Sequence, residues 1–263
     1  MTQASDRIMP IPSDHQSPAV SLLLDECAFL LDIDGTLLDL APTPSEVVVP
    51  PGLAGALSAL HMRTDGALAL VSGRSLADID RIFSPMVLPV VGGHGAEMRL
   101  STDGEADAVR APPMDPDLKK RFVAISYLDP RILVEDKGYS IALHYRKAPN
   151  FERAIYDAVS AIRADLPEAA VEVLPGKAVC EIKHSGVTKA SGVTELMKHE
   201  PFMGRRPIFI GDDVTDETVF AIMPDMKGLS FSVGRKAQGV DGHFNAPADV
   251  RQWLAGLLSE DAQ

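Results

Sequence analysis

Positive charge is what this sequence has too little of. Its 25 Lys and Arg face 37 Asp and Glu, a formal net charge of −12 over 263 residues. Such a field repels nucleic acid and anionic membrane, so neither is expected as a partner. A phosphorylated ligand would be repelled as well, unless its site brought its own local cation. Cysteine is equally scarce: Cys27 and Cys180 are the whole supply and build no disulfide framework. Both read as buried, reduced thiols, which fits a reducing cytoplasm. No window reaches about 18 consecutive apolar residues, so no membrane-spanning helix is expected. Residues 1–20 are polar and proline-bearing and lack a basic start followed by an apolar run, so a secretory signal is not expected there and the lead-in should fray. Internal repeats and low-complexity segments are missing too. What remains is ordinary globular composition, 46% hydrophobic and 24% charged, in a length that suits one large domain or two unequal ones.

Several short apolar runs stop abruptly at polar residues or glycine. Ala28–Leu31 ends at Asp32, Ala67–Val71 at Ser72, Val87–Val91 at Gly92, and Ile208–Ile210 at Gly211. Runs of this length without alternation predict strands buried on both faces of a parallel sheet. Helical spacing falls between them: Pro51–His61, Ser75–Phe83 behind a capping serine, Thr188–Lys198 behind a capping threonine, Thr215–Met223 and Ala248–Leu258. Strands alternating with helices predict an α/β fold, a doubly wound Rossmann-like parallel sheet.

The middle of the chain breaks that pattern. Arg110–Asp117 is proline-rich and reads as a linker. Arg131–Glu135 and Tyr139–Tyr145 read as strands about a turn at Asp136–Gly138, Phe151–Arg163 as a helix, and Val171–Leu174 with Ala178–Ile182 as a second hairpin. The expected organisation is a lead-in over residues 1–26, a core from 27–110 and 184–263, and an inserted α+β cap over 111–183.

Chemistry concentrates in Asp32-Ile33-Asp34-Gly35-Thr36-Leu37. Carboxylates at i and i+2 after a buried strand sit on one side of its carboxyl end, where open α/β sheets bind ligands. Close carboxylates repel and call for a cation or a shared proton; Mg²⁺, a hard oxygen-seeking ion, suits them. Gly35 allows the sharp turn.

This hexapeptide resembles the first motif of the haloacid dehalogenase superfamily. Ser72-Gly73-Arg74 resembles its second motif, Lys189 at a helix start its third, and Asp212-Asp213 after a strand its fourth. Gly211–Glu217, Gly93–Glu97, Glu135–Gly138, Ala142–Arg146 and Glu181–Lys183 are similar to segments of trehalose-6-phosphate phosphatases, and the likeness extends over about residues 28–258. One departure is that Lys189 is followed by Ala190-Ser191, where that family often has glycine.

The resemblance implies a haloacid dehalogenase-like core with an inserted cap, and hydrolysis of trehalose 6-phosphate through an aspartyl-phosphate. It implies Asp32 as nucleophile and Asp34 as the acid and base. Asp32, the Asp34 backbone carbonyl and Asp212 would hold Mg²⁺, with Asp213 and Asp216 orienting water or the metal's surroundings. Ser72 and Lys189 would bind the transferring oxygens, with Thr36, Gly73 and Arg74 beside them. Glu135, Lys137 and Glu181 would bind the disaccharide, with Arg146 on the same hairpin. His94, in a tight glycine turn, either serves structure or touches substrate. A functional link to trehalose-6-phosphate synthase would follow. Other capped sugar phosphatases, acting on sucrose phosphate or mannosylglycerate phosphate, are the nearest alternative. A phosphomutase would need a second phosphate site, and no second arginine cluster is visible. An inactive sugar-phosphate-binding module should lack Asp32 or Asp34, and both are present.

Overall fold

The computed structural model describes residues 8–9, 20–21, 24–41, 46–102, 111–176 and 178–259; the lead-in expectation for 1–20 falls mostly outside them. The chain divides into two compact units, Met1–Ala108 with Thr188–Gln263, and Val109–Val187.

A short ribbon, β1 (Ile8–Met9) paired antiparallel with β2 (Val20–Ser21), precedes the main sheet of the first unit. That sheet contains β3 (Cys27–Leu31), β4 (Leu68–Val71), β5 (Val90–Gly92), β6 (Glu97–Arg99), β11 (Arg206–Gly211), β12 (Leu229–Val233) and β13 (Gly242–Phe244). Its order is β13-β12-β11-β3-β4-β5-β6, parallel except for the antiparallel β5–β6 edge pair. The helices are α1 (Leu53–Arg63), α2 (Leu76–Phe83), α5 (Lys189–Leu196), α6 (Glu217–Ile222) and α7 (Pro247–Ser259). Each central strand is apolar on both faces because each face has its own core. Phe29, Leu31, Ile208 and Ile210 meet Leu57 of α1, Ile79 of α2 and Leu254 of α7. Ala28, Leu30 and Phe209 meet Val193 and Leu196 of α5 and Phe220 of α6. The doubly wound expectation holds; the antiparallel edge and the strands β12 and β13 were not anticipated.

The second unit is a four-stranded antiparallel sheet of order β7-β8-β10-β9: β7 (Leu133–Asp136), β8 (Ser140–His144), β10 (Val179–His184) and β9 (Val171–Gly176). α3 (Pro116–Ala124) and α4 (Glu152–Asp165) cover one face, where Phe122, Ile155 and Val159 pack on Ile141, Leu143, Cys180 and Ile182. The stretch expected as a linker is irregular only from 111 to 115. It then enters α3, which the Asp115 carboxylate caps by accepting from the Asp117 and Leu118 amides at 3.0 and 2.9 Å, with Pro116 opening the first turn. Cys27 and Cys180 are both buried free thiols, and burial pushes each up to about 11.

Candidate active site

Strands β3 and β11 are neighbours, and the strand order runs outward from them in opposite directions, so their carboxyl ends open the crevice where such sheets bind ligands. Asp32 leaves β3 with its amide donating to the Ile210 carbonyl at 3.0 Å. Asp212 leaves β11. Gly35, at φ +81°, turns the chain directly against the Asp212 carboxylate, where any side chain would collide. The carboxylates of Asp32, Asp212 and Asp216 thereby each bring an oxygen within 4.8 Å of the others.

Lys189 is the first residue of α5. Thr188 caps that helix: its hydroxyl accepts from the Ser191 amide at 3.1 Å, while the Ser191 hydroxyl accepts from the Thr188 amide at 3.0 Å. Ser191 thus closes a capping box one residue after Ala190, which stands where the family often has glycine. The Lys189 ammonium donates to Asp32 Oδ1 and to Asp216 Oδ1, both at 2.7 Å, with all three side chains at 5% exposure or less. Burial would strip the ammonium of its proton, but Asp32 and Asp216 outweigh it and hold the charge in place. Burial pushes Asp32 well up, against the pull of Lys189. Burial and then the Asp216 charge push Asp212 up to about 6. Three carboxylates against one ammonium leave negative charge uncompensated, and this oxygen-only donor set fits a hard divalent cation.

Ser72 is buried at the carboxyl end of β4, and its hydroxyl accepts from the Arg74 amide at 3.2 Å. The Arg74 guanidinium grips both oxygens of Asp34, at 2.5 and 2.6 Å. Thr36 is fully buried, and its hydroxyl finds no hydrogen-bond partner among the described residues. His94, at φ 55°, packs its ring over Gly73, and its amide donates to the Ser72 carbonyl at 3.0 Å. Asp213 is exposed and accepts from the Val214 amide at 2.7 Å. Asp216 instead lies at the centre of the cluster: its Oδ2 accepts from the amides of Asp212 and Asp213, each at 3.0 Å.

In the second unit, Glu135 and Glu181 both pair in register with Ala142 from opposite sides, so they share the sheet face away from α3 and α4. Glu181 Oε1 accepts from Ser140 Oγ at 2.8 Å and from Lys137 Nζ at 3.3 Å. Glu135 pairs with His144 at 2.9 Å, and Arg146 is exposed beyond the end of β8.

The trehalose-phosphatase family model matches residues 30–251. The chain belongs to the trehalose-phosphatase family. It is 37% identical over 228 residues to the trehalose-6-phosphate phosphatase of Escherichia coli K12, covering 86% of this chain and 85% of that one. It is 42% identical over 242 residues to a probable trehalose-phosphate phosphatase of Sinorhizobium fredii, covering 92% and 89%. The C-terminal domain of the Candida albicans trehalose-6-phosphate phosphatase superposes with a TM-score of 0.72 at 22% identity, over 91% of this chain and 94% of that one. A phosphatase of the haloalkanoate (HAD) superfamily from Bacteroides thetaiotaomicron reaches 0.61 at 15% identity, over 92% and 97%, which shows the shared fold.

In this trehalose-phosphatase family member Asp216, expected around the metal, lies beside the Asp32 and Asp212 carboxylates, with its own oxygens held by Lys189 and by the Asp212 and Asp213 amides. Glu97 also gained a local task, accepting from the Leu76 amide at 2.6 Å and so anchoring the start of α2 beside Ser72–Arg74.

Proposed function

We propose that this chain dephosphorylates trehalose 6-phosphate through a phosphorylated Asp32. It is a phosphoric monoester hydrolase by family. The observation that carries the mechanism is the buried contact of Lys189 with Asp32 at the centre of the carboxylate trio. Lys189 pulls Asp32 toward its ionised form without offsetting its burial; with a divalent ion bound as well, the carboxylate would be ionised and an oxygen lone pair available to attack phosphorus in line. The bond from phosphorus to the sugar oxygen then breaks, and Asp34 gives that oxygen a proton. In the second half Asp34 takes a proton from water, whose oxygen displaces Asp32 and releases inorganic phosphate. Both Asp34 oxygens are occupied by Arg74, so that fork must open for proton transfer to the sugar, and an opened Arg74 can turn to a phosphoryl oxygen. Ser72 and Lys189 would stabilise the charge that builds on the transferring group.

Asp32, Asp212 and the Asp34 carbonyl would hold Mg²⁺. When bound, the ion supplies Lewis acidity toward phosphoryl oxygens. Together with Lys189 it is the local positive charge that an acidic protein needs to admit a phosphate. Glu135, Lys137, Arg146 and Glu181 would bind the sugar. The substrate would come from a trehalose-6-phosphate synthase. Among the described residues no helix is long and apolar enough to cross a membrane, and the buried free thiols support a cytoplasmic setting.

Phosphate release from a panel of sugar phosphates, with Mg²⁺ and with EDTA, tests the reading. Fast release from trehalose 6-phosphate that needs the ion and vanishes in Asp32→Asn is expected. Preference for another sugar phosphate, or near-normal turnover by Asp32→Asn, would overturn it.

A further inference from the structure

Arg235 follows β12 and belongs to none of the sequence motifs. Its Nε donates to the backbone carbonyl of Asp212 at 2.8 Å, and its Nη1 pairs with Glu217 of α6 at 2.7 Å. The amide of the preceding Gly234 donates to the Phe244 carbonyl at 2.9 Å, tying this loop to β13. One guanidinium therefore links three things: the peptide that carries Asp212, the first turn of α6, and the loop after the next strand. Asp212 needs such support. Asp216 holds its amide from one side, and Arg235 holds its carbonyl from the other.

We infer that Arg235 is a positioning residue for the metal centre, bracing the Asp212 peptide against Glu217 so that the Asp212 carboxylate stays aimed at the ion. The inference rests on the metal reading given above for Asp212. Groups that touch a ligand rather than the metal fix its orientation, and losing one typically costs about 10–100-fold in metal affinity or activity.

Charge and geometry make opposite predictions here, which makes the idea testable. Arg235 is a cation near a cation site. If it acted only through its charge, neutralising it would tighten metal binding, because a like charge is removed. If it acts as a brace, neutralising it loosens Asp212 and weakens metal binding. The substitution is tolerable: the Arg235 side chain is 37% exposed and lines an open cavity of about 540 Å³ with Glu217, Phe220 and Lys236, so a shorter polar residue disturbs no packed core.

The experiment is a Mn²⁺ titration of the full chain, followed by electron paramagnetic resonance of free ion, for the wild type and for Arg235→Gln. A Kd about tenfold weaker in Arg235→Gln is expected, with unfolding in EDTA little changed. An unchanged or tighter Kd overturns the inference. If Arg235→Gln does not fold, Arg235→Lys takes its place; it keeps the charge but cannot span both partners, so the same weakening is expected and a wild-type Kd overturns the brace. Absence of Mn²⁺ binding by the wild type would instead overturn the metal reading, and the brace with it.

Discussion

Lys189 has two partners 2.7 Å away and almost no water. Its removal should therefore be felt in folding as well as in turnover. Lys189→Met leaves Asp32 and Asp216 facing each other without a cation, and breaking a buried pair on one side costs roughly 3–5 kcal/mol. The loss should be largest in EDTA at neutral pH. It should shrink with a divalent ion added to occupy the site proposed at Asp32 and Asp212, because a bound ion stabilises the folded state by mass action. It should also shrink in mild acid, where one carboxyl can protonate and the repulsion falls. Denaturant unfolding under these three conditions checks it. Equal loss in all three would show that Lys189 does not neutralise the cluster. Residues of this kind were legible in the sequence because chemistry restricts them: Asp32, Asp34, Ser72, Lys189 and Asp212 all stand at element ends. Arg235 was not legible, since a lone arginine after an unrecognised strand carries no pattern.

At the scale of elements, the turn Gly93–Gly95 is the joint between the Ser72 loop and α5. The His94 amide donates to the Ser72 carbonyl and the Gly93 amide to the Arg74 carbonyl, at 3.0 and 2.8 Å. On the other side Gly95, at φ +101°, lies against the carbonyl of Thr188, the residue that caps α5 just before Lys189. A methyl group at Gly95 is strained by its backbone conformation and collides with that carbonyl. Gly95→Ala should therefore push the start of α5 outward. Overpacking of this kind costs about 1–3 kcal/mol, and a displacement of about 1 Å at a reacting centre can cost about 10²-fold in rate. The expected result is a lower melting temperature with kcat falling far more than KM rises; wild-type kcat would show that α5 does not depend on the turn. The elements that carry the site were readable because β3, β4 and β11 are unbroken apolar runs and α2 and α5 have side-chain caps. β12 was not, because Leu-Ser-Phe-Ser-Val reads as a half-exposed alternation. In the fold Ser230 and Ser232 are both buried: the Ser230 amide donates to Asp241 at 2.8 Å and Ser232 Oγ accepts from the Ala237 amide at 3.3 Å. A tertiary hydrogen bond serves the Ser232 hydroxyl, the Ser230 hydroxyl is buried without a partner among the described residues, and no local pattern announces either burial. α3 was hidden behind the prolines that precede it.

The whole molecule divides its chemistry between two units. The first holds the carboxylate trio, Lys189, Ser72 and Arg74, the groups proposed above for phosphoryl transfer. The second presents Glu135, Lys137 and Glu181 on one polar region of its sheet, the groups proposed above for the sugar. Glu181 is the informative residue because its side chain is only 14% exposed and is already oriented by Ser140 and Lys137. A carboxylate held this way has lost most of its rotamer freedom before a sugar arrives, so each hydrogen bond it accepts from a hydroxyl contributes more fully. Hydrogen bonds to charged groups contribute about 1.5–3 kcal/mol, which corresponds to roughly 10–150-fold. Glu181→Ala should thus lower kcat/KM for trehalose 6-phosphate by about that factor while leaving a generic aryl phosphate within about twofold, since the aryl group offers no hydroxyl to bind. Glu181→Gln keeps Ser140 and Lys137 company and one acceptor oxygen, so it should fall between the two. Parallel losses on both substrates would mean that Glu181 acts through the fold of the second unit, and the sugar would have to be recognised elsewhere.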